Sequence, residues 1–225
     1  TTIPEKTIVQ LAHDMAQAAP SSLIHRGYHG AMGTQYKNSL QLVRAVGSIN
    51  GLLGNYNQKG GMFNAPKVKL GKLGPDKFPE VPENEAPMLD GSGDPERYPL
   101  TPVGLGISQA IPELAIAGKL KAGFVYHNNP LRTCPNPASM IEGYRKLDLL
   151  VSFDYVMSET TSLAHYILPE SYYLERDDVV HTNHCYTSKQ VAIRQAVMKP
   201  LYDTKPMVDI LIGLAPHCGV GEYFN

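Results

Sequence analysis

Residues 122–130 read AGFVYHNNP, and residues 149–169 read LLVSFDYVMSETTSLAHYILP. Ala122 to Tyr126 is a continuous apolar run of strand length. So is Leu149 to Phe153, which ends at Asp154. Tyr166 to Leu168, closed by Pro169, is a third. Between the first two strands, Ser139 to Leu147 has a helical pattern that begins near Pro137. Between the second and third, Ser158 to Ala164 is a short helix. Apolar strands alternating with helices predict an α/β fold whose parallel sheet is covered by helices on both faces.

Working outward, Ile107 to Gly118 reads as a helix before the first strand, and Lys205 to Ala215 as a last helix. Residues 56–106 break the pattern. They hold eight Gly and eight Pro in 51 positions, so they read as a long irregular loop insertion. Met62, Phe63, Leu70, Leu73, Phe78, Tyr98 and Leu100 favour an ordered loop over a disordered linker. Upstream, Pro4 to Ala18 is a helix with an apolar stripe of Ile8, Leu11, Ala12, Met15 and Ala19, ended by Pro20. Ser22 to His25 is a short strand candidate, followed by the glycine-rich stretch 26–33. A second helix runs from about Thr34 to Leu53. Its low charge argues for burial on several sides, and Gly54-Asn55 is its natural stop.

Composition narrows the function. The chain has 225 residues, 43% hydrophobic and 18% charged, which is a globular profile. Its formal net charge of −1 argues against a general nucleic-acid binder. No run approaches the roughly 18 apolar residues of a membrane span. Cys134, Cys185 and Cys218 are far apart and include no CxxC pair, so they read as ordinary core or loop residues. His181, His184 and Cys185 lack an evident fourth ligand and read as a surface loop rather than a metal cluster. Neither GxGxxG nor GxxxxGK[ST] is present, which disfavours a simple NAD enzyme or a P-loop ATPase. A triad of Ser158, Asp154 and His165 has no GxSxG elbow to support it.

In open parallel sheets, ligands bind at the carboxyl ends of the strands. Two such ends are polar here: His127-Asn128-Asn129-Pro130, and Asp154 followed by Ser158-Glu159-Thr160-Thr161. A strand-end carboxylate can accept the paired N1–H and amino donors of guanine, which adenine lacks. Ser158 can cap the next helix and offer its hydroxyl. An Asp that merely caps its own turn fits the spacing equally well. Arg44 is a permanent charge on a largely apolar helix. It calls for an anionic partner, either an internal carboxylate or a substrate.

Longer motifs carry a resemblance. Residues 40–61 read LQLVRAVGSINGLLGN then YNQKGG; 128–137 read NNPLRTCPNP; 168–176 read LPESYYLER; and 193–215 read IRQAVMKPLYDTKPMVDILIGLA. In this order and spacing the chain resembles the molybdopterin oxidoreductases of the dimethyl-sulfoxide-reductase family. It looks closest to polysulfide and thiosulfate reductase catalytic subunits, with tetrathionate and arsenate reductases as near relatives.

The resemblance implies a bis-molybdopterin-guanine-dinucleotide (bis-MGD) cofactor carrying molybdenum or tungsten. It implies two-electron chemistry of anaerobic respiration on a small inorganic substrate such as polysulfide, thiosulfate or tetrathionate. Asp154 and Ser158 fall on the family's guanine-binding positions. Asn128, Asn129, Pro130 and Thr160 lie on the turns around the nucleotide, and Gly54, Asn55, Gly60 and Gly61 on the loop near the cofactor. Arg44, with His29 on the nearby glycine-rich loop, falls at the substrate funnel. By the same resemblance, residues 1–55 are the end of a neighbouring cofactor domain, 56–106 the loop, and 107–225 a Rossmann-like dinucleotide domain.

The family's [4Fe–4S] cysteine cluster, metal-ligating segment and cap domain have no counterpart here. The chain is expected to be the middle of a larger catalytic subunit, whose missing N-terminal part would carry the [4Fe–4S] cluster. Expected partners are the remaining segments of that subunit, an iron–sulfur electron-transfer subunit and a membrane anchor subunit, but no nucleic acid. The expected location is periplasmic or extracytoplasmic. An arsenate-type or other anion reductase, or a metal-free scaffold subunit of a respiratory complex, are the alternatives.

Overall fold

The computed structural model describes residues 2–25, 38–63, 66–71, 79, 82, 86–98, 106–178, 181–183 and 187–224. The chain forms two compact units. The first comprises residues 1–70 and 180–192, the second residues 71–179 and 193–225. No helix among the described residues is long and apolar enough to cross a membrane.

In the second unit, β1 (Ala122–Tyr126), β2 (Leu149–Asp154) and β3 (Tyr166–Pro169) form a parallel sheet in the order β1-β2-β3. The register pairs Phe124 with Val151, and Val151 in turn with Tyr166. The central strand is buried over Leu150–Phe153, as its unbroken apolar run requires. The face of the sheet that carries Val125 and Leu150 is covered by helices. There α3 (Ile111–Ile116) packs on α5 (Pro137–Tyr144), and Ala115, Leu131, Met140, Tyr144 and Leu147 close over Val125 and Leu150. The four-residue helix α4 (Pro130–Thr133) supplies Leu131. On the other face Phe153 is buried edge-on against Phe124, while Phe124, Tyr126 and Tyr166 remain exposed.

Several boundaries differ from the sequence reading. The helix expected over 107–118 splits into a 3-10 turn, Ser108–Ala110, and then α3. Pro112 lacks an N–H and is tolerated only in a first turn, so the α-helix has to start afresh beside it. The helix expected over 158–164 is one 3-10 turn, Thr161–Leu163, because the chain must extend at Ala164 to enter β3. The last helix, α6, spans Met207–Leu214. Between 56 and 106, the described residues contain turns and one isolated bridge, Tyr56 to Met62, but no helix or strand.

In the first unit, α1 covers Glu5–Ala18 and α2 covers Ser39–Leu52. Strands β4 (His181–Asn183) and β5 (Gln190–Ala192) pair antiparallel. The expected strand at 22–25 is not a strand. Its backbone bonds to side chains instead. Asn50 donates to Ile24 O at 2.8 Å and accepts from Ile24 N at 2.9 Å, and Asn55 donates to Ser22 O. The expected burial of α2 on several sides is also corrected: of its residues only Asn50 is buried, and Leu42, Ile49 and Leu52 are exposed. The apolar stripe of α1 is likewise exposed at Ile8 and Leu11. A stripe at helical period marks a face able to pack, but the partner must come from elsewhere.

Candidate functional site

Parallel strands deliver their carboxyl ends to one edge of the sheet. There the ends of β1 and β2 enclose a cleft of about 270 Å³. His127, Asn128 and Asn129 bound one side; Asp154, Tyr155 and Ser158 bound the other.

Asn129 is the brace between the two loops. Its Oδ1 accepts from Thr160 Oγ1 at 2.8 Å and Thr160 N at 3.2 Å, and its Nδ2 donates to Glu159 Oε2 at 2.6 Å. That donor is the main reason the Glu159 carboxyl titrates below its ordinary value. Thr160 is fully buried, and its Oγ1 also accepts from Leu131 N at 3.3 Å. Pro130 is buried at the start of α4. The side chains of Asn129 and Thr160 thus satisfy each other and shape the cleft.

Asp154 does two things. Its Oδ1 accepts from Tyr155 N at 2.8 Å and Val156 N at 3.1 Å, which closes the turn after β2. No hydrogen bond from a described residue reaches its Oδ2. The turn therefore uses one oxygen, and the capping and ligand readings of Asp154 do not exclude each other. Ser158 Oγ accepts from Thr161 N at 3.1 Å and pairs with Thr161 Oγ1 at 2.9 Å, which meets the buried Ser152 Oγ at 3.0 Å. Asn128 is exposed, and its carboxamide bonds to none of the described residues. The cleft therefore presents a carboxylate oxygen and a free carboxamide. A larger hollow of about 590 Å³ shares Asp154 and Tyr155 and is walled by Tyr172, Leu201 and Tyr202.

Beside the cleft lies a group the motif reading passed over. Glu170 follows β3 and is fully buried. Its Oε1 accepts from Tyr126 Oη at 3.1 Å, from Met207 N at 3.2 Å and from the Arg176 guanidinium; its Oε2 faces His127 Nε2. Burial opposes the charge on Arg176, but the Tyr126 hydroxyl and Glu170 outweigh it and hold that pKa above its ordinary value. The signal available in sequence was the acid–arginine spacing inside LPESYYLER. Its partners at 126, 127 and 207 are too distant in the chain to be read from it.

His165 is elsewhere. Its Nδ1 accepts from Leu150 N at 2.9 Å, near the start of β2, whereas Asp154 lies at its end. A Ser158–Asp154–His165 triad is therefore not assembled.

In the first unit, Gly54 adopts φ 67° after α2, as a helix stop does. Gly61 is pressed on its own chain: a Cβ there would overlap the Asn55 carbonyl, and one at Gly60 would meet Ser21 Oγ. These glycines close the loop whose ends are joined by Met62 N to Asn55 O at 2.7 Å. Asn55 is fully buried, and its Oδ1 has no partner among the described residues. A cavity of about 500 Å³ lies between α2 and this loop, lined by Val43, Val46, Asn50, Tyr56, Gly61 and Phe63. Arg44 does not line it. It is exposed on α2, with a 3.4 Å bond to Gln41 Oε1. The demand for a buried anionic partner fails because the helix around Arg44 is not buried. His29, His184 and Cys185 lie outside the described residues.

Comparison with known proteins identifies the class. The profile of the family described as molybdopterin oxidoreductase matches residues 9–216, and the chain belongs to that family. It is 27% identical over 235 residues to the thiosulfate reductase molybdopterin-containing subunit PhsA of Salmonella typhimurium, covering 99% of this chain and 30% of that protein. It is also 27% identical to the F420-dependent formate dehydrogenase subunit alpha of Methanocaldococcus jannaschii, covering 99% of this chain and 33% of that one. The solved acetylene hydratase from Pelobacter acetylenicus shares the fold, with a TM-score of 0.68 at 22% identity over 97% of this chain and 33% of that one. The chain thus spans about a third of the length of these relatives.

The family implies a molybdopterin cofactor with molybdenum or tungsten. The cleft fits one part of such a group. Among the described residues Asp154 is its only lining carboxylate and no Lys or Arg lines it, so its chemistry suits a donor-rich base rather than a phosphate. Among the described residues no cluster of three or more His, Cys, Asp or Glu side chains is built to hold a metal.

Proposed function

We propose that this chain is the nucleotide-holding part of the catalytic subunit of a bis-MGD oxidoreductase, and that the cleft between β1 and β2 seats a guanine. The observation that carries this reading is Asp154, whose Oδ1 is spent on its own turn while no described residue bonds its Oδ2, in a cleft that the unpaired Asn128 also lines. Two acceptors beside each other match the N1–H and amino donors of guanine and would leave adenine unpaired. Asn129, Thr160 and Ser158 hold the two loops at the spacing the base needs. Gly54, Asn55, Gly60 and Gly61 shape the second cofactor-side loop.

When bound, the cofactor supplies two-electron redox chemistry at molybdenum or tungsten. The protein's own contribution is to hold the nucleotide and to bind the anionic substrate, a role that the family resemblance gives to Arg44. The substrate we favour is a sulfur compound: thiosulfate, polysulfide or tetrathionate. The support is likeness to a thiosulfate reductase subunit together with the LPESYYLER and PLYDTKP wording. We further propose a [4Fe–4S] centre elsewhere in the subunit, an iron–sulfur partner with a membrane anchor, and an extracytoplasmic location.

The test is viologen-coupled turnover by the full-length enzyme, with its molybdenum and tungsten content measured on the same sample. Turnover with a sulfur substrate and near-stoichiometric metal is expected. A metal-loaded enzyme that turns over only arsenate or formate would overturn the substrate assignment.

A further inference from the structure

The wall of the cleft at His127 is held from behind. His127 has φ 44°, a left-handed conformation that non-glycine residues adopt at a cost, so the surrounding structure must impose it. Its amide donates to Phe153 O at 3.1 Å, which continues the β1–β2 ladder by one residue. Its ring stacks on Tyr126 at 4.2 Å and meets the edge of Tyr155 at 4.8 Å, so it forms a face of the cleft. Its Nε2 then points at Glu170 Oε2, the remaining oxygen of a fully buried carboxylate. Glu170 does not line the cleft; its other oxygen is committed to Tyr126, Arg176 and Met207 N.

We infer that Glu170 is a positioning residue of the nucleotide cleft, acting through the close contact of its Oε2 with His127 Nε2 to hold the imidazole as the wall against which the base is seated. The inference rests on the proposed guanine seat. Oε1 of this buried carboxylate is answered by the Tyr126 hydroxyl, the Arg176 guanidinium and Met207 N, while Oε2 has the imidazole nitrogen against it but no hydrogen bond from a described residue, so the charge draws the ring toward it. The Glu170–Arg176 pair is balanced in charge, so a donor at 127 completes it without adding a requirement for a further anion. The position of the ring is therefore set by a residue that does not line the cleft itself.

The test uses the full-length protein purified with its cofactor. Guanine nucleotide released by acid is counted per chain, and the thermal midpoint is recorded for each variant. His127→Phe keeps a planar ring against Tyr126 and Tyr155 but removes the donor. His127→Gln keeps a donor of similar reach but removes the ring. Both carry the same backbone penalty at 127. The expected result is that His127→Gln, which removes the wall itself, and His127→Phe, whose ring Glu170 no longer holds, both lose nucleotide severalfold while the chain still melts cooperatively, and that Glu170→Gln behaves like His127→Phe. Phe or Gln retaining as much nucleotide as the native chain would overturn the positioning role. If Glu170→Gln does not fold because Arg176 is left unbalanced, the two His127 variants still decide. A native chain that carries no guanine nucleotide would instead remove the seat itself, an outcome distinct from any difference among variants.

Discussion

At the scale of single residues, Asp154 divides its work between two oxygens. Spacing alone left capping and ligand binding as rivals, and the geometry reconciles them because the turn needs only Oδ1. Arg44 went the other way. Its apolar neighbours suggested a buried charge, yet the helix is exposed, so its interest lies in reaching an external anion. Arg44→Lys is expected to lower turnover at least about tenfold, since an ammonium lacks the planar fork, while metal content stays unchanged. Equal turnover would return Arg44 to the ordinary surface. Tyr144 gives a pH prediction. Burial pushes its phenol from 10.0 up to about 12, so the folded chain keeps a proton that the unfolded chain loses in that window. Its contribution is full below pH 10.0 and falls as pH rises toward about 12, by about 1.4 kcal/mol per unit. Denaturant melts of the native chain should show this fall and those of Tyr144→Phe should lack it.

At the scale of elements, the three strands were legible because continuous apolar runs have few other uses, and β1 falls on its expected residues. The connection between β2 and β3 was not. Ser158-Glu159-Thr160-Thr161 looks like a helix start, but Ser158 spends its hydroxyl on Thr161 and the chain extends at once. The Glu170 cluster was illegible for another reason: its members come from β1, the segment after β3, and the start of α6, and only folding brings them together. Helix packing makes its own prediction. Gly143 on α5 faces Pro112 on α3 so closely that a Cβ would overlap the Pro112 Cα. Gly143→Ala should cost roughly 3 kcal/mol, because backbone cannot give way as a side chain can. A chemical-denaturation midpoint unchanged in that variant would show that the two helices are free to part.

At the scale of the whole molecule, the chain belongs to the molybdopterin oxidoreductase family and leaves several apolar faces without a partner among the described residues. It spans 30% of the thiosulfate reductase subunit it resembles, and it leaves Phe124 and Tyr166 of the sheet and the stripes of α1 and α2 uncovered. The family was legible in the order of several motifs, none of which was decisive alone. The central claim is that the β1–β2 cleft seats the guanine through Asp154. The most direct test is to count guanine nucleotide per chain in the native full-length protein and in Asp154→Ala. Loss of charge-assisted hydrogen bonds, each worth about 1.5–3 kcal/mol, predicts near-stoichiometric nucleotide in the native protein and at least about a tenfold drop in the variant. A folded Asp154→Ala protein carrying as much guanine nucleotide as the native one would contradict it.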